Sequence, residues 1–229
     1  MMLKYTKGTC TVKKELKENP SGKKASGKTS SAENPFRDTP FSDNPSGDHR
    51  LKDNIFLIGF MGTGKSTIAD CLHTLYGMDV VEMDREIEEQ EGMGIPDIFE
   101  KYGEEYFRNA ETALLYGMQG RRNTVISCGG GVPLREQNVS GMKKSGHVVL
   151  LTAGPETILQ RVRDSHDRPL LENNKTAAFI ADMMDKRREK YEAAADIVVE
   201  TDGRDAPRIC REILCRLRLQ ELQRNTLYN

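Results

Sequence analysis

The stretch Gly59-Phe60-Met61-Gly62-Thr63-Gly64-Lys65-Ser66 fits the pattern GxxxxGK[S/T] with no mismatch, and it constrains the fold more than any other part of the chain. The run before it, Asn54-Ile55-Phe56-Leu57-Ile58, is apolar and partly β-branched. After it, Ile68, Leu72 and Leu75 recur at helical spacing. Strand, glycine-rich loop and helix in that order form a phosphate cradle: the glycines let successive N–H groups converge on an anion, and the helix adds its positive N-terminal end. In such a loop Lys65 reaches the β- and γ-phosphates of a nucleotide, and the Ser66 hydroxyl ligates Mg²⁺. The rival reading is a glycine-rich turn that binds nothing, and the agreement of spelling with element order speaks against it.

Residues 1–50 are rich in Lys, Ser and Gly, hold four of the nine prolines and offer few aliphatic side chains to bury. They are expected to be a disordered extension, which leaves 51–229 as one domain. The turn formers Asn19-Pro20-Ser21-Gly22, Asn34-Pro35-Phe36 and Asn44-Pro45-Ser46-Gly47 recur in this extension without making a structural repeat. It lacks the apolar core of a secretory signal, and it is Lys-rich where a transit peptide is Arg-rich and amphipathic. No apolar run is long enough to span a bilayer, net charge is −1, and no basic stripe interleaved with aromatics stands out. Neither membrane nor nucleic acid is therefore an expected partner. Cys10, Cys71, Cys128, Cys210 and Cys215 are odd in number and show no CxxC spacing, which speaks against a disulfide framework or a zinc site and for a reducing, cytoplasmic setting.

From Leu51 onward strand-like and helix-like stretches alternate, the pattern of a parallel sheet covered by helices on both faces. Strands are expected at Ile55 to Ile58, Val80 to Met83, Thr124 to Ser127, Val148 to Leu151 and Asp196 to Glu200. Helices are expected at Lys65 to Tyr76, Arg85 to Gln90, Glu104 to Gln119, Glu136 to Lys143, Pro155 to Arg163, Lys175 to Ala193 and Asp205 to about Gln223, with a turn at Pro96 to Lys101. Ligands of such sheets bind at the carboxyl ends of the strands.

The chemistry-bearing residues fall at those ends. Glu82-Met83-Asp84 closes the second strand, and strand alternation would put both carboxylates on one face. Asp84 also suits the N-cap of a helix beginning at Arg85. With the second strand expected beside the P-loop strand, a carboxylate at its tip would face the γ-phosphate. The third strand runs into Cys128-Gly129-Gly130-Gly131, where the lack of side chains would let a substrate lie against backbone N–H groups. Three arginines complete the set: Arg108 in Tyr106-Phe107-Arg108, Arg168 in Asp167-Arg168-Pro169-Leu170-Leu171, and Arg187 in a charged helical stretch. Each also has a plain reading, Arg108 as a flank of the core and Arg187 with Arg188 as a solvated face. Arg168 lies in a polar stretch, Asp164 to Asn174, long enough to serve as a mobile lid.

In combination these motifs resemble the shikimate kinase family, from Asn54 to about Leu217. The resemblance rests on the P-loop Gly59 to Thr67, the acidic pair, Phe107-Arg108, the three glycines and Arg168-Pro169-Leu170-Leu171, in that order. It implies an α/β P-loop fold of the nucleoside-monophosphate-kinase type, a three-layer α/β/α arrangement with a five-stranded parallel sheet in the order 2-3-1-4-5. It also implies transfer of the γ-phosphoryl group of ATP to the 3-hydroxyl of shikimate, with Mg²⁺, by a monomer. Under the resemblance, Lys65, Asp84 and Arg168 are catalytic: Asp84 orients or deprotonates the attacking hydroxyl and Arg168 closes over the phosphates. Gly62, Thr63, Gly64, Lys65, Ser66, Thr67, Arg161 and Arg168 bind ATP, Arg161 by stacking on adenine opposite the loop at Ala206 and Pro207. Arg108 and Arg187 grip the acceptor carboxylate, with Gly129, Gly130 and Gly131 facing the same ligand. Ser66 ligates the metal directly, and Glu82 and Ser127 approach it through water. Glu82 departs from the family's Asp-x-Asp pattern by one methylene.

Two rival readings share part of this set: a P-loop kinase of another hydroxy acid such as gluconate, or of a nucleotide, and a nucleotide-binding module without turnover. The glycine run, the Phe-Arg dipeptide and Arg-Pro-Leu-Leu together favour shikimate over the first. The retention of Lys65, Ser66, Asp84 and Arg168 favours an enzyme over the second. Deleting residues 1–50 is expected to leave the melting temperature and kcat nearly unchanged, because few buried contacts would be lost. A fall of several degrees in a thermal melt would show that the extension docks.

Overall fold

The computed structural model describes residues 53–163 and 176–227. The expected boundary at residue 50, and Arg168 with its polar stretch, lie outside them. Strands β1 (Asn54–Ile58), β2 (Asp79–Glu82), β3 (Thr124–Ser127), β4 (Gly146–Thr152) and β5 (Ile197–Glu200) form one parallel sheet in the order β2-β3-β1-β4-β5. Helices α1 (Lys65–Tyr76), α2 (Met83–Glu91), α3 (Ile95–Gly117), α4 (Glu136–Ser145), α5 (Pro155–Val162), α6 (Ala177–Ala194) and α7 (Ala206–Leu227) connect and cover it.

Every residue of β1 and β3 is buried, as strands sandwiched between two helical layers require. On one face Phe56, Ile58, Ile126, Val148 and Leu150 pack with Leu115, Met142, Ile158 and Ile180 from the helices. Ile55 and Leu57 alternate to the other face, where α1 packs against α7. The edge strand β5 alternates buried and exposed residues instead, with Val198 turned outward.

Three sequence expectations change. First, β3 lies between β1 and β2, so the second strand is not beside the P-loop strand. Second, α2 begins at Met83, and Glu82, not Asp84, takes the N-cap position, without a side-chain cap bond. Ladder pairing of β2 stops at Glu82 opposite Ser127, because β3 then turns into the glycine run and offers no further partner. Glu82 and Asp84 are therefore not alternate residues of one strand; Asp84 sits in the first turn of a helix, where a carboxylate suits the positive end. Third, the turn near Pro96 and the helix after it are one element, α3, kinked at Gly103, whose φ of 83° and ψ of 168° are not helical.

The amino-terminal edge of the sheet is held by Asn54, which is fully buried. Its Nδ2 donates to the carbonyls of Arg121 at 2.9 Å and Ser145 at 3.2 Å, and its Oδ1 accepts from the Thr124 N–H at 3.2 Å. One side chain thus ties β1 to the entrances of both flanking strands. Asn54→Ala takes their side-chain partner from the Ser145 carbonyl and the Thr124 N–H, while the Arg121 carbonyl keeps Arg122, and is expected to lower unfolding free energy by about 2–4 kcal/mol. Urea denaturation checks this, and a loss under about 0.5 kcal/mol would show that water replaces the amide.

Candidate functional site

The site is built at the carboxyl ends of β1, β3 and β2, which register places in one row: Leu57 pairs with Ser127, and Ser127 with Glu82. The P-loop leaves β1 with Gly59, where a Cβ would lie 2.4 Å from the Leu151 carbonyl oxygen of β4. Gly64 enters α1 with φ 94°, a left-handed backbone that glycine alone adopts without penalty. No acidic residue occupies the first turn of α1, so its N-terminal charge is not offset from within the helix. Lys65 folds back over the loop, its Nζ donating to the carbonyls of Gly59 at 3.1 Å and Phe60 at 3.3 Å. Ser66 and Thr67 are exposed.

Two groups from the far side of the sheet clamp this loop. The Arg161 guanidinium donates to the Gly62 carbonyl at 3.0 Å and to Thr201 Oγ1 and O at 3.0 and 3.1 Å. The Thr201 hydroxyl lies 3.1 Å from the carbonyls of Thr63 and Thr152. Arg161, expected to stack on adenine, is thus seen at the P-loop, with its N–H groups shared between the Gly62 carbonyl and Thr201. Ala206 and Pro207, expected across from it, open α7.

The acceptor side forms around the glycine run, and each glycine meets a different side chain. A Cβ on Gly129 would lie 2.5 Å from Glu111 Oε1 and 2.6 Å from Asp84 Oδ1. On Gly131 it would lie 2.0 Å from Arg108 Nη1, and on Gly130 it would meet the Tyr191 hydroxyl at 3.5 Å and Arg187 Nη1 at 3.7 Å. The glycines are needed to let a cradle of charged side chains close over the backbone, in addition to baring the backbone itself. Arg108 donates to Glu111 at 2.8 Å and Glu104 at 2.9 Å. Arg187 turns inward over the Phe60 ring, 5.9 Å from its centroid, while Arg188 turns out to pair with Asp185. The P-loop's own phenylalanine therefore supports an acceptor-side arginine.

The carboxylates of this cradle are strained electrostatically. Burial pushes the Glu111 carboxyl above its usual range, and nearby Asp84 adds to this while Arg108 opposes it. Glu82 is raised by burial as well, against the hydrogen bonds from Ser127 and Ser66. Its Oε1 is buried and has no hydrogen-bond partner, as does Glu111 Oε1. A buried carboxylate oxygen without a donor, flanked by two hydroxyls and beside a phosphate loop, fits a hydrated divalent cation. The donor set of Ser66, Glu82 and Ser127 thus suits Mg²⁺, and the longer Glu82 still reaches both serines.

The structure brings together Gly62 to Thr67, Glu82, Asp84, Arg108, Ser127, Gly129 to Gly131, Arg161 and Arg187; Arg168 lies outside the described residues. Three participants are new. Glu111 sits three residues after Arg108 and Tyr191 four after Arg187, spacings that place each pair on one helix face and were readable in the sequence. Thr201, 138 residues from the P-loop carbonyl it meets, left no local signal.

A family model described as shikimate kinase matches residues 61–218. A shikimate kinase of Persephonella marina is 41% identical over 165 residues, covering 72% of this chain and 99% of that protein. One from Caldanaerobacter subterraneus is 35% identical over 161 residues, 70% of this chain and 94% of its own. The shikimate kinase of Acinetobacter baumannii, solved with shikimate, superposes with a TM-score of 0.69 at 35% identity, over 75% of this chain and 96% of that one. The Aquifex aeolicus enzyme gives 0.64 at 36% identity, over 74% and 98%.

The position of Glu82 predicts an opposition between stability and function. A carboxyl raised in the folded state binds its proton more tightly there than in the unfolded chain, so its favourable contribution is complete below the unfolded value of 4.5 and is lost as pH rises through the folded value. Above the folded value the ionised, desolvated Glu82 is destabilising. Glu82→Gln, without added metal, should therefore melt at the same or a higher temperature than the parent at about pH 7, the difference shrinking toward pH 4.5. Thermal melts across that range check it; a variant less stable at every pH would contradict it.

Proposed function

The chain belongs to the shikimate kinase family, and on that premise we propose that it transfers the γ-phosphoryl group of ATP to the 3-hydroxyl of shikimate. The observation that carries this reading is the cradle at the three glycines, where two inward arginines, two carboxylates and bare backbone converge a short distance from the P-loop. A small acid bearing several hydroxyls matches those donors and acceptors. Arg108 and Arg187 supply the cations suited to its carboxylate, and Asp84 the acceptor suited to its hydroxyl proton.

Phosphoryl transfer asks little covalent work of a protein, and positioning with charge neutralisation supplies most of the rate. The P-loop amides hold the phosphates, Lys65 swings from its loop carbonyls to the β- and γ-oxygens, and Asp84 aligns the attacking oxygen. Glu111 holds Arg108 from behind, so the guanidinium meets the ligand in one orientation. Ser66, Glu82 and Ser127 are the residues that would hold Mg²⁺, which when bound would offset the charge of the nucleotide's terminal phosphates. Arg161 presents its exposed flank to the nucleotide while keeping its N–H groups on the loop. Cys71, Cys128, Cys210 and Cys215 are free thiols, which suits a reducing setting. No helix among the described residues is long and apolar enough to cross a membrane.

ADP release should appear only with shikimate and Mg²⁺ both present, and not with gluconate or a nucleoside monophosphate. Lys65→Ala should abolish it with the fold retained. Arg108→Ala should raise the shikimate KM more than it lowers kcat, by a factor corresponding to about 2–5 kcal/mol. Equal ATP turnover with and without shikimate would overturn the assignment.

A further inference from the structure

Tyr191 is nearly buried in α6, yet its hydroxyl reaches the acceptor cradle and has two partners there. It donates to the Gly130 carbonyl at 2.6 Å, a short bond, and lies beside the Arg187 guanidinium one helical turn before it, the two side chains meeting over Gly130. Burial raises the phenol above its usual range, so it stays protonated and remains a donor across physiological pH. The bond therefore has a fixed direction, from the tyrosine to the glycine carbonyl.

Each link has a consequence on the acceptor side. A trans peptide holds its C=O and N–H antiparallel, so anchoring the Gly130 oxygen toward α6 turns the Gly131 N–H the opposite way. Glycine itself imposes no preference on that peptide, since it has no side chain to resist rotation. At the other end, the phenol borders the Arg187 guanidinium, which lies over Phe60, and the two neighbours together leave its donors a defined direction. We propose that Tyr191 is a positioning residue for the acceptor, one hydroxyl that sets both the Gly130–Gly131 peptide plane and the orientation of Arg187. The inference rests on the reading of this cradle as the acceptor site. It assigns to a residue without direct charge a share of the discrimination for the acceptor over the nucleotide.

The test is steady-state kinetics on Tyr191→Phe, which keeps the buried ring and removes only the oxygen. The shikimate KM should rise about tenfold, as expected for a carbonyl and an arginine left without their shared partner, with kcat and the ATP KM within about threefold of the parent. A thermal melt should move little. In an Arg187→Ala background the same substitution should raise the shikimate KM by no more than about half as large a factor, because part of its effect passes through that arginine. A shikimate KM within about twofold of the parent would overturn the proposal, as would equal rises in both KM values with a fall in melting temperature, the mark of general loosening. Full additivity with Arg187→Ala would overturn the link to the arginine. Lack of shikimate turnover by the unmodified protein would instead sink the acceptor-site reading itself, and this proposal with it.

Discussion

Parallel pairing in the row Leu57, Ser127 and Glu82 is the constraint on which the site depends. Parallel strands in register end together, so the three segments that follow them emerge side by side: a phosphate loop, a glycine run and an acidic helix start. None of these segments contacts its partners through local sequence. A slip of β3 would carry the glycines away from Arg108 and Asp84 and turn its buried residues to the opposite face. The tight core around Phe56, Ile126 and Val148 is therefore also what sets the distance between donor and acceptor halves.

Within that frame, absence of side chains has a specific role at three consecutive positions. Gly129, Gly130 and Gly131 differ in what they make room for, a carboxylate pair, a phenol with an arginine, and a second arginine. The crowding is dense enough that a methyl group at Gly131 would coincide with the Arg108 guanidinium. A polar cradle packed this closely keeps its members from collapsing onto one another only if their charges are balanced, and the pairing of Arg108 with Glu111 and Glu104 supplies that balance.

Much of this was legible before any coordinates. The P-loop with α1, the extents of β3 and α1 and the sheet order follow from motifs whose meaning is local or carried by a family pattern. What failed were inferences about neighbours. Alternation from Glu82 to Asp84 assumed the strand continued, but β2 loses its partner where β3 becomes glycine. The second strand was expected beside the P-loop strand, at odds with the order that the family pattern implied, and β3 lies between them. The sequence also read Met118 and Gln119 as helix; the chain leaves α3 after Gly117, where the Met118 N–H closes on the Leu115 carbonyl and the Gln119 N–H on that of Tyr116 instead of continuing the ladder. Thr201 shows the limit most plainly: a lone threonine after an edge strand acquires its role only when folding brings β5 and α5 over the P-loop.

That clamp changes how nucleotide affinity should be understood. Arg161 and Thr201 hold the Gly62 and Thr63 carbonyls outward, and with the Thr63 N–H closed on the Phe60 carbonyl the loop is already in a fixed turn, its Gly64 N–H directed away from Thr201, before any anion arrives. The ordering entropy of the loop is settled during folding and need not be met again at each encounter with ligand. Part of the grip on phosphate is thus stored in remote tertiary contacts of β5, and a loosened C-terminal edge of the sheet would weaken nucleotide binding without altering a single atom that touches it.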